Sequence, residues 1–217
     1  MNITNDLKIQ QILIYRPNKT KTDELSDQQI SLRTKVDRKG NIVATTITEI
    51  TDCFEYFFSS LYRREFVKTL RLNECSEREL LPLVRCYLLG WFADNVSPEV
   101  KSRLPGTVSG HGFIDFVIDD VAVEFAVRKP TAARSNVSAT VNSTEVKKLM
   151  KHDGKALLVL FDFSDTPYSE EQIESFRNWP SLGRGNHRKS AFNVVYFFVE
   201  KRRPLALGKI TKNIRIT

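Results

Sequence analysis

The chain has 217 residues, of which 41% are hydrophobic and 27% charged. That is enough for one domain with a full core, and it argues against wholesale disorder. The net charge is +7, and it is concentrated in residues 183–217. There Arg184, Arg188, Lys189, Lys201, Arg202, Arg203, Lys209, Lys212 and Arg215 face the single acid Glu200, so a polyanion partner is expected, with a solvated C-terminal edge as the alternative.

No apolar run reaches the roughly 20 residues that a membrane-spanning helix needs. The polar start MNITNDLKIQQ lacks a secretory pattern. Three scattered cysteines, Cys53, Cys75 and Cys86, give neither a disulfide framework nor a zinc spacing. These features predict a soluble, cytoplasmic protein with no membrane partner.

Residues 1–50 read as an N-terminal β-rich extension packed on the core. QQILIYR is a short apolar run, and QISLRTKVDRKGNIVATTITEI holds two alternating segments around a turn at Gly40-Asn41. A helix is expected over residues 52–72, with Phe54, Phe57, Phe58, Leu61, Tyr62 and Phe66 spaced at three and four. Ser76-Glu77-Arg78-Glu79 is a capping box opening a second helix to about residue 92, with Leu80, Leu81, Val84, Leu88 and Trp91 on one face. Cys53 and Cys86, in these apolar stretches, are expected to be buried thiols. VSPEVKSRLPGTVSG, punctuated by Pro98, Pro105 and Gly106, reads as a loop.

A hairpin is expected over residues 112–127, then a polar loop, a short helix over residues 142–152 and a buried strand in KALLVLFDF. A helix in SEEQIESFRNW, a basic loop in GRGNHRKS, a strand in FNVVYFFVE and an edge strand in PLALGKITKNIRIT complete the chain. This order predicts an α/β fold, a mixed β-sheet flanked by helices, with residues 51–217 forming the core.

The hairpin holds the most informative chemistry. Asp119-Asp120 is a natural two-residue turn. It sets Ile118 opposite Val121, Val117 opposite Ala122, Phe116 opposite Val123 and Asp115 opposite Glu124. Directly opposed residues share a face with Cβ atoms about 4.5–5.5 Å apart, and like charges so placed destabilise a sheet. The pair therefore calls for a counter-ion: a divalent cation such as Mg²⁺, or an arginine or lysine from elsewhere.

The stretch GFIDFVIDDVAVEFA, with the helix before it and TEVKKLMKHDGKALLVLFDF after it, resembles the PD-(D/E)XK nuclease superfamily, which includes many restriction endonucleases. The resemblance spans about residues 74–163, with the strand near 191–199 as a further sheet member. Gly112-Phe113-Ile114-Asp115 stands where the first half of the motif belongs, without the proline before the acid. Glu124-Phe125-Ala126 matches the second half except at its last residue.

The resemblance implies a restriction-endonuclease-like core and a metal-dependent DNA endonuclease, using Mg²⁺ or Mn²⁺ held by Asp115 and Glu124. A further acid often comes from the preceding helix. Glu77, three and four residues before Leu80 and Leu81, is the candidate third ligand, unless it only favours the positive end of its helix. A homodimer or larger nucleoprotein complex is also implied, since many members cut two strands with two subunits.

The same resemblance implies a catalytic lysine two residues after the glutamate, where this chain has Ala126. A methyl group cannot polarise water. Arg128 shares that strand face but acts as an electrostatic clamp rather than a base. Lys147 or Lys148 on the following helix can substitute from a new position. A third possibility is a lysine replaced by alanine, by design or by decay. Lys129 falls on the opposite strand face.

Nucleic-acid contacts are expected at Arg128, Lys147, Arg184, Arg188, Lys189, Lys201, Arg202 and Arg203. The alternative to an endonuclease is a non-catalytic nucleic-acid-binding or assembly subunit that keeps the nuclease fold; a protein-binding module is a third reading. His111, His152 and His187 lack metal-ligand spacing. No phosphate loop, dinucleotide fingerprint or nucleophile elbow is present.

Overall fold

A computed structural model of the chain describes residues 44–103, 110–129, 143–178, 190–200 and 205–216. Residues 1–43, and with them most of the expected N-terminal β layer, lie outside the described residues. At the expected end of that layer the chain is helical. Helix α1 spans Ile47–Ser60 because Thr46 and Glu49 form a reciprocal capping box, each side chain accepting from the other's backbone amide. The cap, and Ile50, Cys53, Phe54, Phe57 and Phe58 buried at helical spacing, override the alternation of ATTITEI.

The single helix expected over residues 52–72 is two. A turn at Leu61–Arg63 separates α1 from α2 (Arg64–Thr69), which buries none of its residues. Phe66 is therefore exposed rather than core. Helix α3 (Glu77–Phe92) starts at the expected Ser76–Glu79 box. Its buried stripe is Leu80, Val84, Leu88 and Phe92, one residue beyond the expected Trp91, which is exposed and stacks on Tyr56. Cys53 is buried as expected, but Cys86 is exposed on the outer side of α3.

Residues expected to form a loop instead form strand β1 (Val96–Arg103). The reason is its place at one edge of the sheet, where Pro98, with no amide to donate, is tolerated. β2 (His111–Ile118) and β3 (Val121–Arg128) form the hairpin. Helix α4 (Ser143–Lys151), β4 (Lys155–Asp162), the short α5 (Glu170–Glu174), β5 (Ala191–Glu200) and β6 (Ala206–Arg215) follow the predicted order.

The six strands form one mixed sheet in sequence order. The β3–β4 and β4–β5 pairs are parallel and the others antiparallel. One face is covered by α1 and α3 over an aromatic core that includes Phe54, Phe57, Phe58, Phe125, Phe161 and Phe197. On the other face α4 and the α5 region pack on Ala122, Ala126, Leu158, Leu160, Val194 and Tyr196.

β4 docks tightly beside the hairpin turn. Lys155 donates its amide to Asp120 O (2.9 Å), and a Cβ on Gly154 would stand 1.8 Å from that oxygen, so only glycine fits there. No helix among the described residues is long and apolar enough to cross a membrane.

Candidate functional site

The hairpin pairs as its turn requires: Ile118 with Val121, Val117 with Ala122 and Phe116 with Val123. Beyond Phe116 and Val123 the ladder gives way. Extended by one step, the register sets Asp115 across from Glu124, and by three steps Phe113 across from Ala126. At these levels side chains take over bonds that a regular ladder would make. Asp115 Oδ2 accepts the Phe125 amide at 2.9 Å, and the Val127 amide serves the Glu77 carboxyl. Lys148 Nζ, from α4, donates to Phe113 O at 2.6 Å and to Glu124 Oε2 at 2.7 Å. The result is a notch between β2 and β3 with acids on its walls.

The edge strand is distorted at the same level. Glu99, which the β1–β2 register sets opposite Asp115, has φ +53°, a left-handed conformation uncommon outside glycine. Its carboxylate turns to Arg85 on α3, with Nη2 to Oε1 at 2.8 Å.

Burial and like charge dominate the electrostatics. Glu124 is 1% exposed. Burial first, then Asp115 and Glu145, push its carboxyl well above the ordinary range, although Lys148 opposes the shift. Asp115 is raised by burial and held down by the Phe125 amide, Lys148, the neighbouring Glu124 carboxyl and Arg85. Glu77 is pushed up to about 7, first by burial of its carboxyl end and then by Asp115 and Glu145. The residue as a whole is exposed, so it sits at the rim.

Two buried oxygens stand out. Among the described residues, Glu124 Oε1 and Glu145 Oε2, at the start of α4, accept no hydrogen bond while their neighbours are ionised. A buried acceptor without a partner costs about 1–3 kcal/mol, more when charged. The two carboxyls of Asp115 and Glu124 interact as a hydrogen-bonded pair when one holds a proton; with both ionised they need a cation. The donor set, hard carboxylate oxygens with one oxygen unspent, fits Mg²⁺ or Mn²⁺. As the side chains stand, no group of three or more His, Cys, Asp or Glu among the described residues is arranged to hold a metal ion, so protein ligation by two carboxylates, with Glu77 at the rim, is the most this arrangement offers.

Of the expected site residues, Asp115, Glu124 and Glu77 are thus brought together. Ala126 is buried in the α4-side core, two residues along β3 from Glu124. The lysine that enters the site is Lys148, 8% exposed. Lys147 is one residue along α4 and about 100° round the helix. Glu145 is a site residue that the sequence reading does not contain. Its spacing of three from Lys148, flanking the apolar Val146, Leu149 and Met150, is the signal that points to it.

Arg128 is committed elsewhere. Its Nη1 bonds Asp162 Oδ2 (2.8 Å), Ser164 Oγ (2.8 Å) and Thr166 O (2.7 Å), and its guanidinium lies 4.1 Å from the Tyr168 ring centroid. Asp162, fully buried, also accepts the Tyr196 hydroxyl at 2.5 Å. A side chain so engaged is an internal clamp, not the phosphate contact expected of it. Arg184, Arg188, Lys189, Lys201, Arg202 and Arg203 lie outside the described residues. Lys212 lies within β6, where Glu170 and Glu174 pair with it.

No protein-family model, no curated protein and no solved structure matches this chain.

Proposed function

We propose that this chain is a metal-dependent phosphodiester hydrolase acting on DNA, an endonuclease built on a restriction-endonuclease-like core. The observation that supports this best is the splayed hairpin. It joins two opposed carboxylates, a buried carboxylate oxygen with no partner, and a buried lysine, all in one notch.

Asp115 and Glu124 would hold the ion, with Glu77 as a third donor at the rim. A bound Mg²⁺ or Mn²⁺ lowers the pKa of water and offsets charge on a phosphate. Lys148 supplies what Ala126 lacks. An ammonium has three N–H donors, and two are used, on Phe113 O and Glu124 Oε2. The third is left for the attacking water or a phosphate oxygen. The Phe125 and Val127 amides fix the orientation of Asp115 and Glu77, so the acids are set before substrate arrives.

Cleavage of supercoiled, linear and single-stranded DNA in Mg²⁺ and Mn²⁺ tests this. The parent chain is expected to cut, and Asp115→Asn and Lys148→Met to lose activity by at least about 100-fold, the scale of a lost acid–base or charge-stabilising group. Ala126 favours a second reading, a nucleic-acid-binding or assembly subunit without catalysis. Binding without cleavage by both the parent and Ala126→Lys would select it. Cleavage by Ala126→Lys alone would mean that the lysine was lost from β3 and not replaced by Lys148.

A further inference from the structure

Phe113 is the least covered phenylalanine in the described core strands, 58% exposed. It lies two residues before Asp115, about 6.6–6.8 Å along the strand. Its backbone is not loose, because its carbonyl is held by buried Lys148 at 2.6 Å, the same ammonium that bonds Glu124. Across the β1–β2 ladder its partner is Lys101, also exposed. The strand segment that carries this exposed ring is thus held by the ammonium that bonds Glu124, with a lysine on the adjoining strand. Among the described residues neither core uses the ring: the aromatic core on the α1–α3 face is built from other residues, and the α4-side core takes its neighbour Ile114 instead.

Resting on the hydrolase reading above, we infer that Phe113 is a base-stacking platform and Lys101 a phosphate contact, and that the substrate class is nucleic acid with an unpaired nucleotide beside the scissile phosphate. Every base offers a π-face, so a single ring binds unpaired bases without reading their sequence. In an intact duplex each base is already stacked on its neighbours, and extruding one costs energy that a single exposed ring must then offset. A platform fixed to the carboxylates by one lysine also sets the distance between the stacked base and the reacting phosphate. Selection for unpaired nucleotides therefore comes from the same element that orients Glu124.

The test measures binding, not cleavage. Fluorescence anisotropy of labelled oligo-dT and of a blunt duplex of equal length is followed with the full chain, Phe113→Ala, Phe113→Trp and Lys101→Gln, in Ca²⁺, a hard divalent ion that takes carboxylate oxygens. Phe113→Ala is expected to weaken single-strand binding about 5- to 150-fold, the value of one stacked base, with duplex binding changed less than about twofold. Phe113→Trp is expected to keep or improve it, and Lys101→Gln to reduce the slope of log affinity against log salt by about 0.7 on the single strand. Equal losses on both substrates, or no loss, overturn the inference; equal losses would make Phe113 a structural residue, and no loss would leave the ring to a protein partner. Cleavage assays on the same proteins separate the two readings. Metal-dependent cutting without the selective loss leaves the hydrolase standing and this inference refuted. The selective loss without any cutting does the reverse.

Discussion

Glu124→Gln should make the metal-free protein more stable and make it blind to divalent ions. Glu124 is 1% exposed, and its folded-state pKa is raised to about 9 from an ordinary value of 4.5. An acid raised in this way binds more protons in the native state than in the unfolded state between those two values. Stability is therefore highest below the unfolded pKa and falls as pH rises through the window. At pH 7 the loss attributable to Glu124 is roughly 3 kcal/mol, and a neutral amide does not incur it. The amide oxygen of the substituted side chain would still accept from Lys148, so little is lost in exchange.

For a chain of this length each kcal/mol moves Tm by about 2–4 °C. The variant should accordingly melt roughly 6–12 °C above the parent in EDTA at pH 7, by calorimetry or circular dichroism. Mn²⁺ should then reverse the order. At about 1,000 times its Kd the ion adds about 4.1 kcal/mol to the parent and nothing to the variant. A parent more stable than Glu124→Gln in EDTA at every pH from 5 to 9 would refute this reasoning. It would mean that Glu124–Lys148 is a satisfied structural ion pair, whose breaking costs about 3–5 kcal/mol.

Lys148→Met should destabilise by about 1–3 kcal/mol in urea titration, because it leaves Phe113 O and the buried Glu124 carboxyl without their donor. Lys148→Met combined with Glu124→Leu should recover part of that, and a double variant no more stable than Lys148→Met would contradict the pairing. Mn²⁺ binding should release protons, since Glu77, raised to about 7, and Glu124 must ionise to ligate. Titration calorimetry in two buffers of different ionisation heat should show this, with affinity rising about tenfold per pH unit for each proton displaced between pH 5 and 7; affinity independent of pH would refute it. Arg128→Met should cost about 3–5 kcal/mol by stranding fully buried Asp162, without altering the salt dependence of DNA binding. A slope reduced by about 0.9 would instead mark a phosphate contact.

The hairpin and the order of elements after it are legible in the sequence because their signals are local. Asp119-Asp120 fixes the register by itself, and three of the four expected pairs are ladder pairs. The fourth, Asp115 with Glu124, is legible as a juxtaposition but not as a geometry. Alternation cannot reveal that a strand pair opens when its acids recruit amides and a lysine from another helix. β1 is illegible for a related reason: an edge strand needs few apolar residues, and its Pro98 reads as punctuation. Arg128 misleads because its partner Asp162 is distant in sequence and looks, in KALLVLFDF, like the polar end of a strand. The split between α1 and α2 leaves its trace only after Leu61, where the apolar period of three and four stops meeting a core.

On the proposed reading the site's lysine comes from a helix rather than from a strand, and this changes what the site depends on. A lysine on β3 would be held by the ladder to β4, which persists wherever the sheet does. Lys148 is instead carried by α4, which packs on the sheet through Val146, Leu149 and Met150, so its charge arrives with that helix. Even then the balance is incomplete. Glu77, Asp115, Glu124 and Glu145 act on one another against Lys148, with a smaller contribution from Arg85 at Asp115, and Arg85 is already engaged by Glu99. A phosphodiester approaching such a surplus of negative charge would be repelled. On the proposed reading this sets an order of events: the divalent ion must bind before the nucleic acid, because only then is the field in the notch one that a phosphate can enter.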